Sequence, residues 1–464
     1  MAYDVSQLRL EGLKIQKLND CRICQKTGEH GELFLRAYVE EDVFEELESL
    51  QPIRLYIPGK QEQTIFCGVL TDFIEESAGG LKEIQLKARS YTYLMDIKKK
   101  SRTFQDISMT YTQLLASVLN EYDDVDFIAA VQDCPIGELA VQYQETDWNF
   151  LKRIFSRIYS SLTGEMRIPA IRVYAGVSVR EDEIDNYELK EVTCDFERCA
   201  ALREWGYEIR DMDGVRCRIK TGQPCGIFGN CQIYGSAMVA ENLQGYLEQG
   251  LFWTETVLSR KEGIVEVPRF PMNLVGRALE GTVLDVQGEH VRLHFNIDGK
   301  RESNDCYWFP YSTPSSSPDG SGWYYMPEIG DRLRVYFPTK QMKDVLAISA
   351  VSSYEGKDGP DRMADTSIKY LRNASGQEMN LSRQGAYFAS AHKMASMMVG
   401  NDGKISIKGQ QIEITAEESI DVMEAREITF HSKTGAVYQC SKGGTLELEN
   451  GGNLKISGSK LNID

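Results

Sequence analysis

The stretch ISIKGQQIEITAEESIDVMEAREITF (405–430) decides the fold of the C-terminal part of the chain. It repeats a pair of apolar residues separated by one residue, and successive pairs begin 7 or 8 residues apart. Side chains two apart in a strand point to the same face, so each pair predicts a short strand with one apolar face. Together, the pairs are Ile405 and Ile407, Ile412 and Ile414, Ile420 and Val422, Ile428 and Phe430, Leu446 and Leu448, Leu454 and Ile456, and Leu461 and Ile463, with Ala436 and Tyr438 in the longest gap.

Strands this short cannot stand alone, because each offers only two apolar side chains to a core. A single-chain β-helix needs about twenty residues per coil, which is longer than this repeat. Three chains wound round a common axis close the strand edges instead. We therefore predict that residues 375–464 form the intertwined β-helix, or β-prism, of a trimer, with these pairs as its core. A β-sandwich is the alternative, although its strands are longer and less evenly spaced.

Composition limits the function classes. With 464 residues, 42% hydrophobic and 26% charged, the chain is typical of a soluble globular protein with two to four domains. No run approaches about 20 apolar residues, and the N-terminus lacks the pattern of a secretory signal, so we expect synthesis in the cytoplasm. The net charge of −17 argues against nucleic acid as a ligand.

The residues that bind metals do not form a metal-site pattern. Cys21 and Cys24 have the spacing of half a zinc site, but no second pair completes it among the eleven cysteines. We expect reduced, mostly buried thiols. His290 and His294 lie in a strand pattern, where four residues span about 13 Å, too far to share an ion. The sequence therefore predicts no metal and no cofactor.

Residues 1–165 predict a β-rich, barrel-like domain that also carries two helices. Apolar residues at helical spacing predict the helices at 111–122 and 147–160, and Thr146 is a plausible N-cap of the second. Alternating apolar and polar residues predict strands at 33–39, 53–57 and 84–88.

Residues 166–272 predict a second barrel-like domain, because strand patterns return there. These patterns lie at 171–174, 215–219 and 254–258.

Residues 273–353 predict a small closed barrel of the OB type. GTVLDV (281–286) and VRLHF (291–295) predict a hairpin, and further strand patterns follow at 307–311, 323–337 and 345–351. OB barrels can bind oligonucleotides, but residues 272–352 hold 10 acidic and 8 basic side chains, which disfavours that function. A polar linker at 354–374 leads to the repeat.

Two motifs, TDWNFLKRIFSRI (146–158) and MPEIGDRLRVYF (326–337), resemble those of VgrG proteins, the fused hub–spike proteins of contractile injection systems and contractile phage tails. TDWNFLKRIFSRI (146–158) resembles the segment near the end of the first hub domain. MPEIGDRLRVYF (326–337) resembles the signature of the spike OB domain, whose turn here is Pro327, Glu328, Ile329, Gly330 and Asp331. The order of two hub domains, an OB barrel and a repeat covers the whole chain.

The resemblance implies a homotrimeric central spike. It implies that an inner tube protein stacks on the hub ring, that baseplate proteins contact it, and that the prism meets the target membrane only on firing. A PAAR-like tip protein or an effector would dock at the C-terminal end. The protein would assemble in the cytoplasm as part of a phage tail-like particle and be ejected on contraction.

No catalytic motif accompanies these features. The sequence has no nucleophile elbow, phosphate loop, dinucleotide fingerprint or zinc-protease helix, and its 69 acidic residues form no distinctive pair. We therefore predict no enzymatic activity and no catalytic residues. The alternatives are a tail-associated cell-wall or glycan-degrading enzyme and a passive trimeric adhesin or fibre.

Overall fold

The computed structural model of the chain describes residues 2–39, 47–60, 62–78, 81–299, 306–313, 315–316, 322–350, 364–423, 426–441 and 443–460. Strands dominate these residues, so the predicted mainly β class is confirmed, and three α-helices accompany them. The chain divides into two compact units, Met1–Lys357 and Asp358–Asp464.

The first unit begins with an antiparallel barrel. In its strand Glu32–Val39 every second side chain is buried, which is the alternation expected of a sheet with one face on a core. The three strands predicted in this part of the chain are confirmed. Its strands are β1 (Tyr3–Asp4), β2 (Arg9–Glu11), β3 (Lys17–Lys26), β4 (Glu32–Val39), β5 (Pro52–Ile57), β6 (Gln63–Ala78) and β7 (Leu81–Ser90).

A part with both helices and strands follows. Its elements are β8 (Lys99–Phe104), α1 (Tyr111–Leu119), β9 (Val125–Ala129), β10 (Ala140–Thr146), α2 (Asp147–Ser156), β11 (Leu162–Gly164) and β12 (Ile171–Ala175). Thr146 caps α2 as predicted, because its hydroxyl accepts a hydrogen bond from the backbone N–H of Asn149 at 3.3 Å. Both helices end three or four residues before the predicted limits of 122 and 160. After α2 the chain turns at Tyr159, whose φ is +55°.

A second group of strands continues the sheet of the first barrel. These elements are β13 (Glu188–Cys194), α3 (Phe196–Glu204), β14 (Val215–Thr221), β15 (Asn230–Ile233), β16 (Ser236–Glu248) and β17 (Leu251–Ser259). The sheet runs in the order β13-β14-β17-β16-β3-β4-β7-β6-β5-β2. The hairpin of β16 and β17 therefore belongs to both groups, since β17 pairs with β14 on one side and β16 pairs with β3 on the other.

The N-terminus completes the first barrel. β1 pairs with β17 and β2 pairs with β5, while the 3-10 turn Val5–Gln7 joins β1 to β2. Strands from both sides of the predicted boundary between 165 and 166 thus share one sheet. The strand predicted at 171–174 is β12, which pairs in parallel with β9 and packs in the core of α1 and α2 rather than in a second barrel.

The OB barrel is present with the predicted hairpin. Its strands are β18 (Ala278–Gln287), β19 (His290–Phe295), β20 (Trp308–Pro310), β21 (Ser315–Ser316), β22 (Gly322–Trp323), β23 (Arg332–Tyr336) and β24 (Leu346–Ala350). The order is β20-β19-β18-β23-β24, and a parallel bridge between Tyr311 and Ala347 closes the ring. Leu139 and Val141 of the preceding part complete its core. The carboxylate of Asp298 also accepts hydrogen bonds from Thr103 at 2.6 and 2.5 Å.

The second unit consists of two antiparallel meanders. The first contains β25 (Lys369–Arg372), β26 (Glu378–Ser382), β27 (Gly385–Ala389), β28 (Ser396–Gly400) and β29 (Ile405–Lys408). The second contains β30 (Gly435–Gln439), β31 (Thr445–Glu449) and β32 (Leu454–Ser457). β25 lies inside the predicted linker 354–374, of which 354–363 is outside the described residues. No described residue from 409 to 434 belongs to a strand.

Candidate functional site: the apolar face of the repeat and the charge network of the N-terminal unit

Three of the predicted core pairs lie on strands, as the repeat predicts. Ile405 and Ile407 are on β29, Leu446 and Leu448 are on β31, and Leu454 and Ile456 are on β32. The last predicted pair, Leu461 and Ile463, is outside the described residues.

The single chain differs from the prediction at the three pairs in the middle of the repeat. Each was predicted to form a short strand with a buried apolar face, but all six residues lie outside any strand and are 53% to 73% exposed. A strand needs a neighbour for its backbone hydrogen bonds, and no described strand of this chain pairs with 409–434. The residues concerned are Ile412 and Ile414, Ile420 and Val422, and Ile428 and Phe430.

The predicted core is therefore not buried within one chain. Apart from Leu446, which is half-buried, its described members have exposed fractions between 44% and 73%. Burying a Val, Leu, Ile or Phe side chain completely contributes about 1.5–3 kcal/mol, so each half-exposed member leaves roughly 1 kcal/mol unrealised. Over eleven residues the sum is on the order of 10 kcal/mol, a value comparable to the whole stability of a domain. The assignment of these residues to a spike core remains a prediction about the assembled protein.

The apolar face begins before the predicted core. Pairing places Leu371, Met379, Phe388, Met397 and Ile407 in one cross-strand row, and Leu381, Ala386, Val399 and Ile405 in a second row on the same face. We call this surface the apolar ladder. Its six large residues before Ile405 have exposed fractions of 36% to 48%. On β27 the pair on this face is Ala386 and Phe388, whereas Tyr387 points to the other face.

The meander of β30 to β32 repeats the arrangement. Ala436, Leu448 and Leu454 form one row, and Tyr438, Leu446 and Ile456 form the next. The eight-residue spacing thus places every apolar pair of the paired strands on one face. A face of this kind on a lone chain has no covering layer, and a large exposed apolar patch marks an interaction surface.

The predicted OB motif forms a tight turn before β23. The backbone N–H of Glu328 donates to the carboxylate of Asp331 at 2.8 Å, and the N–H of Asp331 donates to the carbonyl of Glu328 at 3.0 Å. Gly330 has φ of +95°, a conformation that glycine adopts without strain. The turn docks on β18, because Gly330 and Asp331 exchange backbone hydrogen bonds with Val283 at 2.9 and 2.8 Å. Pro327 is buried, and Ile329 is 70% exposed at the tip.

The N-terminal unit contains a buried carboxylate that the sequence did not reveal. Asp147, the first residue of α2, is 0% exposed and accepts from Lys100 (2.5 Å), Arg102 (2.6 Å), Tyr122 (2.6 Å) and Gln142 (2.8 Å). We call these five residues the Asp147 network. Its contacts connect β8, β10 and the segment after α1 to the start of α2.

The network favours the charged form of its carboxylate. Burial alone would raise the pKa of Asp147, but the hydrogen bonds from Lys100, Tyr122 and Gln142 and the charge of Arg102 outweigh burial, so this pKa lies below its ordinary value. Burial and the hydrogen bond to Asp147 also raise the pKa of Tyr122. A carboxylate held by two cations and two neutral donors is a structural anchor rather than a proton donor.

A second buried carboxylate follows α2. Glu165 is 0% exposed and accepts from the backbone N–H groups of Met166 and Arg167 and from the hydroxyl of Tyr174, each at 3.0 Å. Arg180 donates to the same carboxylate. These contacts hold the segment between β11 and β12, and the segment that follows β12, in place.

A family model matches the part that holds the Asp147 network. Residues 41–157 match the phage tail baseplate hub (GPD) family. No curated protein matches the chain.

Solved structures are similar to this chain in fold. The E. coli c3393 protein, described as a type VI secretion component with structural similarity to the T4 tail proteins gp27 and gp5, has a TM-score of 0.54 at 13% identity. The match covers 74% of this chain and 99% of that one. The chain has a VgrG-like fold. A Francisella PdpA–VgrG complex, half-lidded, has a TM-score of 0.52 at 7% identity, covering 84% of this chain and 83% of that one. A lidless PdpA–VgrG complex has a TM-score of 0.51 at 7% identity, with 84% and 93% covered.

The VgrG-like fold confirms the resemblance found in the sequence. TDWNFLKRIFSRI contains α2 and lies almost wholly within the matched hub segment, and MPEIGDRLRVYF leads into β23 of the OB barrel. The described part of this VgrG-like chain contains no group of three His, Cys, Asp or Glu residues placed to hold a metal ion. Its described helices are all too short or too polar to span a bilayer.

Proposed function

We propose that this VgrG-like chain is the central spike of a contractile injection system baseplate and acts as a homotrimer. One observation carries the proposal: the apolar ladder and the repeat beyond it are uncovered in a single chain. Two further copies supply a matching apolar face at every level, since identical chains carry the same rows at the same height. Burial of these rows is the driving force for assembly.

The proposed trimer accounts for each part of the second unit. Three five-stranded sheets turn their apolar ladders towards one axis and form the base of the needle. Residues 409–434, which have no strand partner among the described residues of one chain, pair with strands of the neighbouring chains. Along 409–434, with strands about 4.8 Å apart and one strand per chain at each level, an octad advances the axis by roughly 14 Å.

Such a needle suits mechanical penetration. Its length is on the order of 100 Å, which exceeds the roughly 40–45 Å of a bilayer with its headgroups. Pulling out one chain requires breaking its pairing with both neighbours, so axial load is shared by three chains. The proposed mechanism therefore involves no catalytic residue and no cofactor.

The partners follow from this role. The N-terminal barrels of three chains form the ring on which the inner tube protein stacks, and baseplate proteins surround it. A PAAR-like tip protein or an effector covers the C-terminal end of the needle. The trimer assembles in the cytoplasm into a phage tail-like particle, is ejected on contraction, and meets the target membrane only then.

Light scattering of the full-length protein tests the proposal. The expected mass in native buffer is three times the chain mass of 52.5 kDa. A monomer at micromolar concentration contradicts the proposal. A spike is expected to bind assembled inner tube protein, whereas a passive fibre is not, so a binding assay with the tube distinguishes the two functions.

A further inference from the structure

The sheet of β25 to β29 has a second face, of mixed polar and apolar side chains, opposite the apolar ladder. This face forms a trough of about 810 Å³. Its floor is a cross-strand row of Asn380, Tyr387, Met398 and Ser406. Side chains alternate along each strand, so partner chains that cover the apolar ladder leave the trough open to solvent.

Three cationic side chains line this trough, which we call the polar trough. They are Arg383, Lys404 and Lys408, and all three are exposed. Within the described residues none of them forms an ion pair with a carboxylate, whereas Arg372 and Lys455 of the same unit do.

Among the described residues that line the trough, the only acidic one is already engaged. The carboxylate of Asp402 accepts a hydrogen bond from the backbone N–H of Lys404 at 3.0 Å. Three cations and one carboxylate leave the trough with a net charge of +2. The chain as a whole has a net charge of −17, so the trough is a locally positive surface on an acidic protein.

Hydrogen bonds hold together the two turns that carry two of the cations. Arg383 and Lys404 lie on neighbouring turns, and hydrogen bonds from Asn401 connect the two turns. The N–H of Asn401 donates to the carbonyl of Gln384 at 2.9 Å, and its side-chain amide donates to the carbonyl of Arg383 at 3.0 Å. Lys408 lies towards the other end of the trough, opposite Ser396. The positive charge is therefore spread along a groove much larger than a single ion.

We propose that the polar trough binds phosphate-bearing anions. A guanidinium on one turn offers paired N–H donors to two phosphate oxygens, and the two lysines act as point charges beside it. The size of the trough accommodates a phosphate together with the group that carries it. Two sources have this chemistry, the headgroup of an anionic phospholipid and a soluble phosphate. The site itself belongs to one chain, and only its orientation away from the axis rests on the proposed trimer.

Vesicle flotation with the full-length protein tests the proposal. The probes are vesicles of phosphatidylcholine with and without phosphatidylglycerol, and inorganic phosphate is tested by calorimetry. The test variant replaces Arg383, Lys404 and Lys408 with Gln. The control variant removes the same number of charges from Arg22, Lys87 and Arg89, which are paired with Asp20, Asp72 and Glu32 in the N-terminal unit.

We expect binding to anionic vesicles that falls at least about tenfold in the test variant and stays within about twofold in the control. If the wild-type protein binds inorganic phosphate but not vesicles, and the test variant loses phosphate binding, the result supports the site with a soluble phosphate as its ligand. No binding of either probe by the wild-type protein overturns the proposal, and so does equal loss in both variants. Light scattering of each variant shows separately whether the trimer is intact, so failure of the site and failure of the spike proposal are distinguishable.

Discussion

Replacing Asp147 with Ala gives a direct test of the charge network in the N-terminal unit. The substitution removes the carboxylate that accepts from Lys100, Arg102, Tyr122 and Gln142. Lys100 and Arg102 keep Glu121 as a partner, but they are only 18% and 20% exposed and lose their buried counter-ion. Breaking a buried pair by removing one partner costs about 3–5 kcal/mol, because the remaining charge is uncompensated.

Hydrogen exchange of the full-length protein measures this cost locally. The amides of α2 and β10 exchange through opening of this part of the unit. A loss of about 3 kcal/mol raises their exchange rate by roughly a hundredfold, since each 1.4 kcal/mol is a factor of ten. The repeat in the second unit should keep its exchange rates, because the partners of Asp147 all lie in the first unit.

Asp72 provides the matched control. Its ion pair with Lys87 joins side chains that are 51% and 61% exposed, and such surface pairs contribute about 0–1 kcal/mol. Asp72→Ala should therefore change exchange of its own strand by less than about tenfold. If Asp147→Ala has an effect as small as that of Asp72→Ala, the network is not an anchor and the reasoning fails.

Three further predictions concern assembly, turn strain and pH. Ile420→Asp should convert the trimer to smaller species in light scattering, whereas Ser419→Asp, on the alternate face, should leave it intact; equal behaviour contradicts an apolar interface. Tyr234 and Gln249 occupy hairpin turns at φ of +49° and +51°, so changing either to Asn should increase the free energy of unfolding of the first unit by about 0.5–1 kcal/mol and raise its unfolding midpoint; a lower midpoint refutes the strain. The pKa of Asp147 is below its ordinary value of 3.8, so its contribution is complete above pH 4 and disappears as pH falls through the lowered value. The opening free energy of α2, obtained from exchange rates corrected for the intrinsic amide rate at each pH, should therefore fall below about pH 4 in the wild type and less steeply in Asp147→Asn.

Local signals in the sequence were sufficient for elements whose partners are near in the chain. Thr146 was recognisable as a cap because the capping bond spans three residues. The hairpin of β18 and β19 was recognisable because its strands alternate and only two residues separate them. The octad was recognisable because each strand repeats the same apolar pair.

The middle of the repeat shows where that local signal ends. The pairs ending at Ile414, Val422 and Phe430 have the same apolar pattern as the pairs on β29, β31 and β32, yet they form no strand in the single chain. The pattern fixes which side chains would share a face, but a strand also needs a hydrogen-bonding neighbour. That neighbour has to come from outside the described residues of one chain.

Elements defined by distant contacts were not predictable in this way. β16 pairs with β3 through residues more than 200 positions apart, so no local pattern reveals that the two groups of strands share a sheet. α3 was missed because only Cys199 and Leu202 are buried in it, which is too few for a helical stripe. The place of Ala386 and Phe388 on the apolar ladder is set by cross-strand register, which no local pattern reveals.

The charge network was hidden for the same reason. Asp147 obtains its partners from residues 100, 102, 122 and 142, and each of these looks like an ordinary surface residue in the sequence. The aromatic and acidic residues at the start of α2 suggested a family motif, but only the fold shows that the acid is buried and paired.

In the second unit the apolar side chains are more exposed than those on the opposite face, whereas an ordinary domain buries its apolar side chains. On β26 to β29 the mixed row of Asn380, Tyr387, Met398 and Ser406 is half-buried, while the large residues of the apolar ladder are exposed. Water is a poor solvent for that ladder, so a lone chain gains little free energy by adopting this sheet. Over the described members of the predicted core from Ile405 to Ile456, the missing contacts are on the order of 10 kcal/mol per chain, about as much as a whole domain's stability.

In the proposed trimer, folding of the second unit and association of the three chains are therefore one event. The first unit has its own buried cores within one chain, whereas the proposal requires two other copies to cover the repeat before it becomes stable. The transition of the repeat should therefore move to higher temperature as protein concentration rises, while that of the first unit should not. A concentration-independent transition of the repeat would show that one chain covers its own apolar face.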